Sequence, residues 1–113
     1  MNGNMELTYL YGFSLRLRDK SESLLKILIE QMKNNFKINL ILLHDGVIGV
    51  TKRSQMPSTL AELLQTPIRI YALISDILAR GLDLNDLRNP IKTIDYDNLI
   101  DILVNSEKII SWI

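Results

Sequence analysis

The stretch INLILLHDG, Ile38–Gly46, decides the reading of the chain. Ile38 to Leu43 form a six-residue run with almost no alternation of apolar and polar residues. Runs of this kind suit a strand covered on both faces, as in a parallel sheet. The run stops abruptly on His44-Asp45-Gly46. Asp-Gly is a turn signal, because glycine tolerates positive φ and the aspartate accepts bonds from nearby amides. His44 is the only histidine in the chain. One reading makes it a base, proton donor or ligand; the other has it finish the strand and bond locally. On an extended chain His44 and Asp45 point in opposite directions, so they are not an obvious dyad.

The elements around this run alternate. LTYLYGF (7–13) reads as a strand. Next, DKSESLLKILIEQMKNN (19–35) changes period, with Leu24, Leu25, Ile27, Leu28 and Met32 at helical spacing. Asp19 and Glu22 have the spacing of a capping box. MPSTLAELLQT (56–66) reads as a short helix with Pro57 in its first turn and Ser58 as its cap. PIRIYAL (67–73) is a strand, where proline is tolerated at the first residue. SDILARGL (75–82) is a helix capped by Ser75, with Asp76 at its positive end, Arg80 in its last turn and Gly81 as a left-handed stop. IKTI (91–94) is a strand. The helix DYDNLIDILVNSE (95–107) places Leu99, Ile100, Leu103 and Val104 on one side, with Asp95 and Asp97 favoured at its start. KIISWI (108–113) is the last strand. A β-α-β-α-β-α-β-α-β order implies a parallel five-stranded sheet with helices on both faces and right-handed crossovers. Ligands of such sheets bind outside the carboxyl ends of the strands, where His44, Asp45, Gly46 and Asp76 fall.

Composition bounds the function. The chain has 113 residues, no cysteine and a formal charge of zero. One domain over residues 1–113 is expected. Without a thiol there is no disulfide, no thiolate metal site and no cysteine nucleophile; no metal or cofactor is expected. Gly46 and Gly49 do not form a dinucleotide or triphosphate signature. No basic-then-apolar signal opens the sequence and no apolar run approaches membrane length, so a cytoplasmic protein without a membrane role is the default expectation. Charge is uneven: residues 1–56 carry eight Lys/Arg against five Asp/Glu, and residues 57–113 carry five against eight. Arg16, Arg18 and Lys20 follow the first strand, and Lys52 and Arg53 follow the second. If those strands are neighbours, one rim of the sheet can face an anionic partner or RNA backbone, or simply solvent.

LLHDGVIGV (42–50), PIRIYALISDILARGL (67–82) and IDYDNLIDILVNSEKIISW (94–112) together resemble the DsrH/TusB family of small sulfur-relay proteins. The resemblance implies a DsrE/F/H-like three-layer α/β/α sandwich with a parallel five-stranded sheet. It also implies assembly with DsrE/TusD-like and DsrF/TusC-like subunits that pass persulfide sulfur toward tRNA wobble-uridine 2-thiolation, with an indirect link to tRNA. Related complexes serve sulfur oxidation. Some members carry a cysteine near the first helix; this chain has none, so the carrier must be another subunit and the chain is expected to be non-catalytic. Trp112, near the end of an apolar tail, either anchors an interface or folds back onto its own domain. Homo-oligomers are expected when partners are absent. The rival reading is a small-molecule-binding protein or enzyme using His44, Asp45 and Asp76.

Overall fold

In the computed structural model, which describes residues 5–113, five strands and four helices alternate. The strands are β1 (Glu6–Tyr11), β2 (Lys37–Leu42), β3 (Arg69–Leu73), β4 (Lys92–Ile94) and β5 (Lys108–Trp112). The helices are α1 (Arg18–Lys33), α2 (Ser58–Leu63), α3 (Ile74–Ala79) and α4 (Tyr96–Val104). All strand pairs are parallel, in the order β4-β3-β2-β1-β5. This is the α/β architecture the alternation implies.

The handedness of the crossovers sorts the helices. From β1 to β4 the chain steps three times in the same direction across the sheet, so right-handed connections put α1, α2 and α3 on one face. The step from β4 back to β5 runs the other way and puts α4 on the opposite face. The core divides accordingly. Leu7, Tyr9, Tyr11, Leu40, Leu42 and Ile70 pack with Leu24, Leu28, Leu60, Leu63 and Ile77 of the first three helices. Ile41, Leu43, Leu73 and Ile94 pack with Leu99 of α4. Ile38–Leu43 does not alternate because both faces of β2 are covered. The polar exception, Asn39, is buried, and its amide donates to Thr8 Oγ1 (3.1 Å) and Glu6 Oε2 (2.7 Å). Thr8 in turn shares a hydrogen bond with Ser106 Oγ at the end of α4 (2.5 Å).

Three expected caps are not used. Helix α1 starts at Arg18 from Leu17, whose side chain makes no cap; the tight turn Leu17 N to Ser14 O (3.0 Å) delivers the chain into it. Asp19 lies in the first turn, where its charge meets the helix dipole, and forms no capping box with Glu22, which pairs with Arg18 instead. Pro57, not Ser58, stands at the start of α2, and the hydroxyl that bonds there is that of Thr59, to Leu15 O (3.3 Å). Helix α3 begins one residue before Ser75, whose hydroxyl meets Tyr96 Oη (3.4 Å). The Asp95 cap and the left-handed Gly81 are present: Asp95 accepts from Asn98 N (2.8 Å) and Gly81 has φ +67°. Ile27, Ile100 and Val104 are exposed rather than core. Ile27 sits more than a quarter-turn from the centre of the buried stripe of Ser21, Leu24, Leu25 and Leu28, and Ile100 and Val104 lie on the flank of α4, away from Leu99.

Two tyrosines are built into the larger core. Tyr9 and Tyr11 are almost fully buried, and the Tyr11 hydroxyl has no hydrogen-bond partner among the described residues. Burial raises both phenol pKa values; for Tyr9 a hydrogen bond with Gln31 opposes the effect. A raised folded-state pKa gives stability that is complete below the ordinary tyrosine value of about 10 and is lost as pH rises through the folded value. Urea unfolding is therefore expected to show falling stability above about pH 10. Tyr11→Phe should make that fall shallower. At neutral pH it should be neutral or stabilising by up to ~1 kcal/mol, since it removes an unpartnered buried hydroxyl. Leu42→Ala, at a fully buried site between the β-strand neighbours and the first helix layer, should cost about 2–5 kcal/mol in the same assay.

Candidate functional site at the carboxyl end of the sheet

The carboxyl ends of β1, β2 and β3 bring together Gly12, His44, Asp45, Asp76 and Arg80. After β2 the chain turns at once into a 3-10 turn over His44–Val47. The strained position is His44, with φ +50°, and not Gly46 as the Asp-Gly signal suggests. Gly46 is required for a different reason. A Cβ there would lie 2.4 Å from the carbonyl oxygen of Tyr11, which already accepts the Leu43 amide at 3.1 Å. The turn is folded so tightly onto the end of β1 that only glycine fits.

A polar clamp holds the turn. The His44 amide donates to Asp76 Oδ2 at 2.8 Å. Arg80 donates from Nε and Nη2 to Asp45 Oδ1 (3.1 and 3.0 Å) and from Nη1 to Asp76 Oδ1 (3.4 Å). Both carboxylates are thus held by one half-buried guanidinium. The Asp76 and Arg80 pair sits at i,i+4 on the α3 segment, a spacing visible in the sequence; what the sequence did not reveal is that Asp45 completes the triad. The imidazole of His44 goes elsewhere. It is exposed, and its Nδ1 lies 3.3 Å from where a Cβ on Gly12 would stand. His44 and Asp45 do not form a dyad: one side chain lies over Gly12 and the other on Arg80.

The step from β4 to β5 reverses the chain's direction across the sheet and sets β5 beside β1, and crevices at such points commonly bind ligands in α/β folds. Here the gap is bridged by Gly12 N donating to Trp112 O (2.9 Å). Ile113 lies against Gly12, with Cγ2 only 2.9 Å from the position of an added Cβ. Trp112 is half-buried against Tyr11, ring centroids 5.9 Å apart. Cavities of about 320 and 250 Å³ open at the opposite end of the sheet, around Phe36, Pro67 and Arg69.

The basic rim assembles from neighbouring strands, β1 and β2. Arg16 donates to Gln55 O (3.3 Å), joining the two loops. Arg18 pairs with Glu22 and Arg53 with Asp86, at 3.3 and 3.1 Å. Lys52 is exposed, its backbone amide bonded to Asp86 O (2.7 Å). Lys20 lies over the Phe13 ring, 4.6 Å from its centroid, so four of the five cations have a partner among the described residues. Among the described residues no group of His, Asp and Glu is arranged to hold a metal ion, and no helix is long and apolar enough to cross a membrane.

A family model described as DsrH like protein matches residues 18–109. Protein TusB of Yersinia pestis (strain Pestoides F) is 31% identical over 74 residues, 66% of this chain and 74% of that protein. Protein TusB of Yersinia pseudotuberculosis (serotype O:1b) matches to the same extent. Among solved structures, the ychN protein of E. coli shares the fold with a TM-score of 0.80 at 12% identity, covering 96% of this chain and 99% of that one. A conserved protein of unknown function from Bacteroides thetaiotaomicron gives a TM-score of 0.71 at 26% identity, over 95% and 94% of the two chains.

The two glycine-related constraints make opposite predictions for neighbouring positions. Gly46→Ala should lose roughly 2–4 kcal/mol, because a backbone carbonyl cannot yield as a side chain would. His44→Gly should cost nothing and gain up to ~1 kcal/mol, because it relieves a left-handed residue. Chemical denaturation of the two variants checks both.

Proposed function

We propose a function from one premise: the chain belongs to the DsrH family. It acts as a non-catalytic subunit of a cytoplasmic sulfur-relay complex that supports persulfide transfer toward 2-thiolation of the tRNA wobble uridine. The observation that carries this reading is a DsrH-type fold with no cysteine anywhere in the sequence. A persulfide needs a thiol, so the sulfur is carried by another subunit. The TusB name of the Yersinia relatives favours the tRNA branch over the sulfur-oxidation branch of the family resemblance.

In this reading the chain is one DsrH-type domain over residues 1–113, and its partners are DsrE/TusD-like and DsrF/TusC-like subunits. Without them it self-associates. The carboxyl end of the sheet faces a partner. His44, held by Asp76 through its backbone and lying over Gly12, is a positioning residue whose exposed imidazole can stabilise a neighbouring thiolate. Asp45, Gly46, Asp76 and Arg80 fix the turn that presents it. Arg16, Arg18, Lys52 and Arg53 border the same end, and Trp112 supports it from β5.

The filled gap between β1 and β5 disfavours the rival reading of a small-molecule site around His44.

The test is genetic and chemical together. Removing the chain from its host should lower the 2-thiouridine content of the tRNA, measured by mass spectrometry of nucleosides; unchanged thiolation would end the tRNA reading. Under persulfide-donating conditions the isolated chain should gain no stable one-sulfur adduct, and a stable adduct would contradict the non-carrier role. His44→Ala should fold normally and reduce thiolation without abolishing it.

A further inference from the structure

The face of the sheet opposite α1, α2 and α3 is half covered. Five strands at about 4.8 Å spacing make a sheet roughly 19 Å wide between its edge strands, while one helix is about 10 Å across. Only the nine-residue α4 lies on this face. Leu99 packs into the sheet, over Ile41, Leu43, Leu73 and Ile94, with Ile102 and Leu103 partly buried beside it. One flank of α4 carries Tyr96, Ile100 and Val104 at i, i+4 and i+8, exposed by 59, 55 and 77%. The Tyr96–Ser75 contact (3.4 Å) shows which way this flank turns: from β4 toward β3, and so toward the uncovered side at β1 and β5. There β5 offers Ile109, 48% exposed, and β1 offers the half-buried Leu10. Helix flank and bare sheet form an apolar corner about one helix wide.

The charge along α4 is of one sign. Between Thr93 and Glu107 there are four acidic residues, Asp95, Asp97, Asp101 and Glu107, and no Lys or Arg. None of the four has an ion-pair partner among the described residues, whereas the acids at the carboxyl end of the sheet are paired with Arg80. A second copy docked α4 to α4 about a two-fold axis would set Asp97 and Asp101 against their own copies. Phosphate backbones would be repelled in the same way.

We propose that this corner is the docking site for a helix of a different protein, apolar along one face and flanked by Lys or Arg, which lies beside α4 over β1 and β5. The helix supplies the missing half of the layer, and its cations meet the unpaired carboxylates. Electrostatic complementarity of this kind sets specificity and orientation more than raw affinity. The inference stands apart from the sulfur-relay reading, since nothing in it requires sulfur transfer.

The experiment uses the full chain with labelled methyl groups and two synthetic amphipathic helical peptides. Both have the same leucine face; one is flanked by Lys and Arg, the other by Glu. The basic peptide should shift the methyl signals of Leu10, Ile100, Val104 and Ile109 in a saturable way, and bind at least about tenfold more tightly than the acidic one. The double variant Asp97→Lys/Asp101→Lys should reverse the preference, and Val104→Glu should weaken both peptides while leaving the thermal melt unchanged. Equal binding of the two peptides, or shifts centred away from this corner, would overturn the proposal. Concentration-dependent shifts of these same methyls in the chain alone would also overturn it, because the occupant would then be a second copy. The experiment reads no sulfur chemistry, so it can fail while thiolation still depends on the chain, or succeed when it does not.

Discussion

The carbonyl of Tyr11 is the point on which the carboxyl end of the molecule is assembled. It accepts the Leu43 amide, extending the β1–β2 pairing one step beyond the strands, and it leaves no room for a side chain on residue 46. The chain must therefore turn immediately after Leu43, and the turn forces His44 into the left-handed region. The cost of that conformation, of order 1–3 kcal/mol, persists only where surrounding contacts over-determine it. Here they do: Asp76 holds the His44 amide, Arg80 holds both Asp76 and Asp45, and Val47 is sealed into the core. A single close approach between two backbone segments thus sets the exposed imidazole, the buried valine and the triad of charges.

The second organising feature is the one reversal in strand order. Three crossovers in one direction build a thick layer of helices, and the fourth returns beneath the sheet with a single helix. The thick side holds most of the core. The thin side carries the buried Thr8–Asn39 hydrogen bonds, which tie β1 and β2 together and reach α4 through Ser106. The same reversal places β5 against β1, where Gly12, Trp112 and Ile113 fill the gap that related sheets often keep open for a ligand.

Membership of the DsrH family sharpens what these features mean without replacing them. The helices, sheet order and register follow from packing and handedness. The clamp around His44 and the one-signed charge along α4 are features of this chain's own residues. They lie on different parts of the surface, one at the carboxyl ends of β1 to β3 and one on the flank of α4, so each can be tested without disturbing the other.

Much of the fold was legible because it rests on short-range physics. The unalternating run Ile38–Leu43 announces a strand buried on both sides, Asp95 and Gly81 punctuate helices by their own conformational preferences, and alternation of the elements dictates a parallel sheet. The cap signals at Asp19, Ser58 and Ser75 go unused because turns and distant partners take those helix starts first. Ile27, Ile100 and Val104 are exposed although they join apolar stripes, because such a stripe reveals that a helix has a face, not how wide a surface it meets. The site divides in the same way. Sequence alone placed His44, Asp45 and Asp76 at strand ends on one edge. Only the tertiary structure decided that Arg80 would join two of them, that Gly46 is glycine for lack of space rather than for its φ, and that Ile113 would fill the gap beside Gly12. Local patterns fix where an element begins and which side is apolar; close approaches between segments far apart in the chain exist only once the sheet has formed.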